Sequence, residues 1–356
     1  MSANGLEVMK LEVASAGETM KSHQRISSVL AQAPAGSTSP DLLDLLIQAR
    51  LDDLPMPAAG FTLERWQALV EVARFDLSLA KQYEGHTDAL AIIGEIGGSG
   101  RLDSGSWGVW AAEVPHARAI VSGPADGSFY VNGAKAWCSG ATTVQNALLT
   151  AWSGNDALPQ LVAVRLDHKG VTVDADQWKA VGMAGSQSVN VTFDNVPCTL
   201  VGKTGAYLQR PGFWQGGAGV AACWLGGALG IASTLQQAMQ RQAGNSGFKL
   251  ASLGKVHLAV SQTVKVLRSA ASWIDAHPAA DASCVALEAR LCAEQCAKTV
   301  LDEVGKAMGA SPFCLNEKFA RAAADLPVFI RQSHAEKDFA ALGERAIQTT
   351  PDSWVL

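Results

Sequence analysis

Gly127 to Ala141, GSFYVNGAKAWCSGA, is the stretch whose reading decides the fold. Two alternating runs flank Asn132-Gly133, and an Asn-Gly pair in that setting predicts a hairpin turn. The second strand carries Lys135, Trp137, Cys138 and Ser139. A Trp beside a hydroxyl at a strand end offers a flat apolar face and a hydrogen-bonding group, the combination that an aromatic ring system with polar edges, such as an isoalloxazine, requires. A Trp that fills a barrel core, with Ser139 opening the next turn, fits the same letters.

Outward from this hairpin the period stays at two. WGVWAAE, ARAIVSG, ALLTAWSG, LVAVRLD, VTVDAD and VNVTFDNV are short runs separated by turn residues, which predicts a small β-barrel or sandwich over 102–205. On both sides the period is helical. DLLDLLIQARLDDL, a Thr62-led helix through Trp66, Leu69, Val70 and Ala73, and RFDLSLAKQYEGHTDALAIIGEIG predict an N-terminal helical domain over 41–101. Helices over 214–243, 250–276, 281–309 and 316–342 predict a C-terminal four-helix bundle within 206–356. Residues 1–40, ending in QAPAGSTSP, read as an irregular segment. The expected class is α+β, helices then strands then helices.

Composition narrows the function. At 356 residues the chain exceeds the ~250–300 at which one core stops growing. Only 17% of residues are charged and the formal net charge is −5, with no cluster of Lys and Arg, so no nucleic-acid partner is expected. The seven cysteines form no C-x-x-C pair, and reduced core thiols in a cytoplasmic protein are the expectation. The N-terminus lacks the basic and apolar regions of a secretory signal. Pro211 to Gln240 carries no charge and is long enough to span a bilayer, but its Gly density, its glutamines and the lack of a Lys/Arg flank predict a helix buried in the bundle, with no membrane partner.

A second stretch adds a resemblance. Trp178 to Cys198, WKAVGMAGSQSVNVTFDNVPC, follows KAWCSGA with the order and spacing of the acyl-CoA dehydrogenase family, in which a G-x-K-x-W-[IC]-[TS] strand precedes a G-M-x-G-S-x-[ST] turn. Ala73 to Ala80, ARFDLSLA, is similar to that family's A-R-x-D-x-S-L-A helix. The resemblance runs from about Asp41 to Leu342 and implies an acyl-CoA dehydrogenase-like fold. It also implies FAD lying between the β-domain and the bundle, held by Trp110, Ala111 and Ala112 on one strand and by Trp137, Cys138 and Ser139 on another. Arg241 resembles an Arg that reaches the flavin nucleotide of a neighbouring subunit, or else complements its helix dipole. Gly309 stands near a family glycine loop, and a homodimer or homotetramer is implied.

The departures bear on chemistry. Ala112 replaces a Thr whose hydroxyl approaches flavin N5, and the Gly-Ser loop bordering the thioester is shortened to HARAI. Counting from Asp325 places Ser333 at the family's base position, and counting back from the helix cap places Arg331 there; neither is a carboxylate. Gly205 to Ile274 contains no Asp or Glu. Glu336 and His334 are the nearby proton acceptors, although Ser333 and Glu336 also fit a capping box; Glu84 and His86 are further candidates. The implied activity is a flavin-dependent oxidoreductase that oxidises the CH–CH bond next to a carbonyl or thioester of a small molecule such as an acyl-CoA. The alternatives are a flavin-dependent monooxygenase of the same fold and a non-catalytic, partner-binding paralogue.

Overall fold

The computed structural model describes residues 20–97, 104–123, 127–154, 157–241, 244 and 246–348. Apolar residues three and four apart wind the N-terminal part into α1 (Ser22–Ala31), α2 (Ser39–Gln48), α3 (Thr62–Phe75) and α4 (Leu77–Ile96). Helix α1 corrects the expected irregular segment over 1–40, whose residues 1–19 lie outside the described residues. Ile26, Val29 and Leu30 keep helical spacing and are buried against the main apolar core, so tertiary packing overrides the polar composition around them. The Asp76 carboxylate accepts from the Leu79 amide at 2.7 Å and starts α4 one residue after α3 ends. Thr62 is not the acceptor cap of α3: its hydroxyl and amide donate to Asp275, whose carboxylate also takes the Gly60 amide.

The strands are β1 (Trp107–Trp110), β2 (Ala119–Ser122), β3 (Phe129–Cys138), β4 (Asn146–Ala151), β5 (Gln160–Arg165), β6 (Val171–Asp174) and β7 (Val189–Val201). They form one sheet in the order β1-β4-β5-β7-β3-β2, with β6 also on β7. Just past β4, Trp152 exchanges backbone bonds of 2.8 and 2.9 Å with Val121 and Ala119 of β2, which wraps the sheet back on itself around Trp110, Cys138, Leu149, Val162 and Phe193.

Asn132-Gly133 is not the hairpin turn. Strand β3 runs straight through it, paired with β2 by Ala119 opposite Gly133 and Val121 opposite Val131, and the register against β7 shifts at this point. Gly133 sits at φ +102°, and a Cβ there would lie 2.3 Å from the Arg118 carbonyl oxygen. The Asn132 side chain meanwhile accepts from the Asn195 amide at 2.8 Å. The pair makes a bulge, the other use of a positive-φ glycine in a strand.

After the barrel come α5 (Ala206–Gln209), α6 (Gly212–Gly217), α7 (Val220–Arg241), α8 (Gly247–Ala276), α9 (Ser283–Met308), α10 (Ser311–Leu315), α11 (Glu317–Phe329) and α12 (Glu336–Gln348). The single helix expected over 316–342 is two, with Pro327 inside α11 and a turn at 330–335 in which Ala335 has φ +44°. Gly212–Arg241 is long and apolar enough to cross a membrane, but 78% of its most apolar window is buried inside the protein. Added Cβ atoms would lie 2.5 Å from the Val70 carbonyl at Gly226 and 2.7 Å from Leu77 at Gly227, so its glycines allow α3 and α4 to approach closely. The helices from both ends of the chain share one apolar core.

The bulge has a measurable consequence. Gly127 has φ +89° with nothing within 4 Å of a Cβ, whereas Gly133 adds a backbone collision to its positive φ. Gly127→Ala is expected to cost about 1 kcal/mol and Gly133→Ala more than about 3 kcal/mol, read as shifts in urea unfolding midpoints.

Candidate active site

Strand ends carry the candidate cradle, and alternation decides which side chains face outward. The Trp110 side chain is 1% exposed, fills the barrel, and donates its indole N–H to the Ser139 carbonyl at 3.1 Å. Cys138 also points inward, and burial pushes its thiol up to about 12. A register shift between Lys135 and Cys138 throws Trp137 out at φ +60°, leaving its indole 60% exposed. Ala111, Ala112 and Ser139 are half-buried, and Ala111 packs against the cluster of Ala89, Ile92, Trp107 and Leu148. Thus Trp137 is exposed and Ser139 half-buried, while the Trp110 and Cys138 side chains lie inside the barrel.

Lys135 locks the two strand ends together. Its fully buried ammonium donates to the Ala112 carbonyl at 2.9 Å, Glu113 Oε1 at 2.6 Å and Thr150 Oγ1 at 2.8 Å. Burial pulls its pKa down, and the Glu113 hydrogen bond and charge pull it back up. Glu113 also accepts from the Trp152 indole at 2.8 Å. Burial would raise the Glu113 carboxyl, but the hydrogen bonds from Lys135, Thr150 and Trp152 bring it below its ordinary value. The segment after Glu113 closes at once, Val114 bridging to Ala117 in a tight turn.

The Gly182–Ser188 loop joins the barrel to both helical layers. The Met183 amide donates to Asp325 Oδ1 of α11 at 2.5 Å, Gln82 of α4 donates to the Gly185 carbonyl at 3.0 Å, and the Gly140 amide donates to the Ser186 carbonyl at 2.8 Å. A Cβ on Gly182 would lie 2.0 Å from the Ala324 carbonyl, so this contact requires glycine. Three hydroxyls chain inward: Ser139 to Ser188 at 2.8 Å, Ser188 to Ser186 at 3.1 Å, and Ser186 to the Met183 carbonyl at 2.9 Å. Ser186, Ser188 and Asp325 were not assigned to the site from sequence; the Ser-x-Ser spacing after a Gly-rich turn is the signal that marks the first two.

Neither Ser333 nor Arg331 is itself a carboxylate, but the buried Glu294 carboxylate of α9 lies against both, hydrogen-bonded by Ser333 and held by Lys298. Ser333 is buried and its hydroxyl accepts from the Ala335 amide at 3.1 Å. The carboxylate that reaches back to this turn is Asp338, which accepts from the His334 amide at 3.2 Å, so the expected Ser333–Glu336 capping box does not form. Glu336 is exposed in the first turn of α12, and the His334 ring, 69% exposed, lies 3.4 Å from Asp338. Arg331 reaches Glu294 at 3.7 Å. Behind the turn, the half-buried Arg290 donates to the Gln332 carbonyl at 3.2 Å and lies over the Trp224 ring. His86 is a strut: its Nδ1 accepts from the Trp107 amide at 3.2 Å, which leaves Nε2 to donate to Asp52. Glu84 pairs with Lys81, one turn before it on α4, at 2.8 Å. Arg241 ends α7 exposed, and Gly309 caps α9 at φ +64° with open space around it. No hydrogen bond or ion pair among the described residues joins either to the strand ends.

No family model and no curated protein sequence matches this chain. Solved structures do. The complex of TdsC from Paenibacillus sp. A11-2 with FMN and indole has a TM-score of 0.75 at 18% identity, over 94% of this chain and 96% of that one. KijD3 in complex with FMN and dTDP-3-amino-2,3,6-trideoxy-4-keto-3-methyl-D-glucose has a TM-score of 0.75 at 18% identity, over 97% and 94%. Butyryl-CoA dehydrogenase from Megasphaera elsdenii has a TM-score of 0.76 at 15% identity, over 93% and 99%. The chain therefore has the acyl-CoA dehydrogenase fold, as the two sequence stretches implied.

Asp325 makes the loop–helix joint pH-sensitive. Burial pushes its carboxyl from an ordinary 3.8 up to about 6, with Asp76 adding to the rise against the Met183 amide and Arg321. A raised carboxyl pKa means that the folded state holds the proton to higher pH than the unfolded chain does. The resulting stabilisation is complete below pH 3.8 and is lost as pH rises through about 6. Asp325→Asn keeps an acceptor for Met183 and has no charge to bury. Its thermal midpoint relative to wild type is expected to rise between about pH 5 and about pH 7.5, measured by circular dichroism.

Proposed function

We propose that this protein is a flavin-dependent oxidoreductase acting as a monooxygenase, with FMN as its flavin and a small molecule as its substrate. The observation that carries the reading is that the strand-end segments of the resembled family are present while neither residue counted to its base position, Ser333 or Arg331, is a carboxylate. The residues present fit a flavin. The exposed Trp137 indole offers a flat apolar face among otherwise buried strand residues, Ser139 two residues on offers a hydroxyl, and Ala112 adds no bulk beyond a methyl group at the strand end that Lys135 ties to β3. Bound and reduced, the flavin supplies two electrons to dioxygen.

Several features support the oxygenase over a dehydrogenase. Taking an α-proton calls for a positioned base, yet Glu336 and His334 face solvent, and the buried Glu294 carboxylate is paired with Lys298 and Arg331 and held below its ordinary pKa. The tight Val114–Ala117 turn stands where the family has the loop beside a thioester, which argues against CoA recognition. FMN fits better than FAD because only Arg241 and Gly309 remain of the motifs that the resemblance assigns to the nucleotide half. The TdsC and KijD3 structures hold FMN, and a solved neighbour at a TM-score of 0.71 is the methanesulfinate monooxygenase MsuC of Pseudomonas fluorescens. Exposed Phe248 and Leu258 on α8 support assembly into a homo-oligomer, and seven free thiols support a reducing, cytoplasmic setting.

The test is spectroscopic. The purified chain is expected to retain FMN after gel filtration, to be reduced by an external flavin reductase, and to be reoxidised by dioxygen, while butyryl-CoA leaves the flavin spectrum unbleached under nitrogen. Bleaching by the thioester would move the assignment to oxidation of a CH–CH bond. Absence of retained FMN and FAD would leave the non-catalytic reading.

The candidate base is tested separately. Glu336→Gln and His334→Ala are each expected to leave flavin reoxidation and product formation within about twofold of wild type. A general base contributes ~10²–10⁴-fold, so a drop of that size in either variant assigns proton abstraction to Glu336 or His334.

A further inference from the structure

We propose that Ser186 and Ser188 orient the Ser139 hydroxyl so that it presents only an acceptor to the ring site, which makes the site hold reduced flavin more tightly than oxidised flavin. This inference rests on the flavin reading above and concerns which redox state that site selects.

The direction of the hydroxyl chain follows from counting protons. Ser186 Oγ lies 2.9 Å from the Met183 carbonyl oxygen, which can only accept, so the single Ser186 proton is committed there. Ser186 and Ser188 are 3.1 Å apart, and with the Ser186 proton spent, Ser188 must donate. Ser139 lies 2.8 Å from Ser188, whose proton is now also spent, so Ser139 must donate in turn. All three bonds coexist in this one direction. Ser139 is then left with lone pairs alone on its half-buried, open side, next to the exposed Trp137. For Ser139 to donate outward, the whole chain has to reverse and the buried Ser186 has to give up its bond to Met183. The loop that holds the chain is fixed at Met183 by Asp325, at Gly185 by Gln82 and at Ser186 by the Gly140 amide.

An acceptor distinguishes the two flavin states at one edge of the ring. Oxidised N5 carries a lone pair and itself accepts. Two-electron reduction places a hydrogen on N5, which then donates. N3–H donates in both states and gives no preference. Ala112 has no hydroxyl where the resembled family brings one to N5, and among Trp110, Ala111, Ala112, Trp137, Cys138 and Ser139 the one hydroxyl is that of Ser139. A flavin held with N5 beside Ser139 would meet an opposing lone pair when oxidised and would find an acceptor for its N5 hydrogen when reduced. Ser186 and Ser188 act through Ser139, so they are positioning residues.

The experiment titrates the full chain with FMN and with dithionite-reduced FMN under nitrogen and takes the ratio of the two Kd values. Reduced FMN is expected to bind roughly five- to tenfold more tightly, the scale of one buried hydrogen bond. Tenfold corresponds to a midpoint potential about 30 mV above that of free FMN for a two-electron couple. Ser188→Ala frees the Ser139 proton to turn outward and is expected to bring the ratio toward one. Ser188→Thr keeps a hydroxyl and is expected to restore it. Ser186→Ala removes the end of the chain and gives a second route to the loss should Ser188→Ala fail to fold. FMN bound with an unchanged ratio in the Ala variants, or a wild-type ratio near one, overturns the inference and leaves the flavin reading intact. Binding of neither redox state overturns the flavin reading and this inference with it.

Discussion

The fully buried Lys135 ammonium holds the candidate site together. An ammonium taken out of water has a large desolvation cost unless each proton finds an acceptor, and here three acceptors come from two parts of the barrel: the Ala112 carbonyl and Glu113 just past β1, and Thr150 on β4. Lys135 itself sits on β3, two residues before Trp137. The need to satisfy one charge therefore fixes where the end of β1 lies relative to the end of β3, and those two ends form the platform. The Trp110 indole bond to the Ser139 carbonyl makes the same connection a second time. A hydrophobic residue at 135 would pack the barrel without specifying this juxtaposition.

The barrel is tied in turn to the helical layers, and the ties converge on one loop. Gly182, Met183, Gly185 and Ser186 take contacts from α11, α4 and the turn after β3 within a few residues. Elsewhere Asp275 of α8 caps α3, so the N-terminal helices and the bundle are joined by charge–amide bonds as well as by a shared apolar core. The platform is thus held on a rigid frame, with Trp137 projecting from a bulge whose positive φ is maintained by the pairing on either side.

Most of the architecture was legible because it depends on period. The alternating runs became the seven strands, and the long apolar helices became the bundle, including the charge-free part of Gly212–Arg241. What misled was local signal overridden by distant partners. Asn132-Gly133 has hairpin chemistry, but β2 and β7 pair across it and convert the turn into a bulge. Ser-His-Ala-Glu has capping-box letters, yet Asp338, two residues beyond Glu336, supplies the carboxylate. Helix α1 was hidden because its three buried residues sit in a polar segment whose stability comes from the core it covers. In the cradle, Trp137 is exposed and Ser139 is half-buried with its hydroxyl on Ser188. The inward turn of Cys138 depends on the register shift, which no single-strand pattern reveals.

The two chemical departures from the resembled family belong to one arrangement. At the position counted for a dehydrogenase's carboxylate stands the buried Ser333, bonded to backbone and beside Glu294, in a turn that Arg290 holds from behind through the Gln332 carbonyl. Where the family brings a threonine hydroxyl to the ring from position 112, this chain has alanine, and the remaining hydroxyl at 139 is oriented by a serine chain that ends on a carbonyl. A site that removes a proton and accepts a hydride needs a positioned base. A site that takes its electrons from a reductase needs none, and on the proposed reading it gains from holding the reduced ring. On that reading the non-carboxylate residues at 331 and 333 and the acceptor-only Ser139 fit one arrangement, drawn from the turn before α12 and from the end of β3.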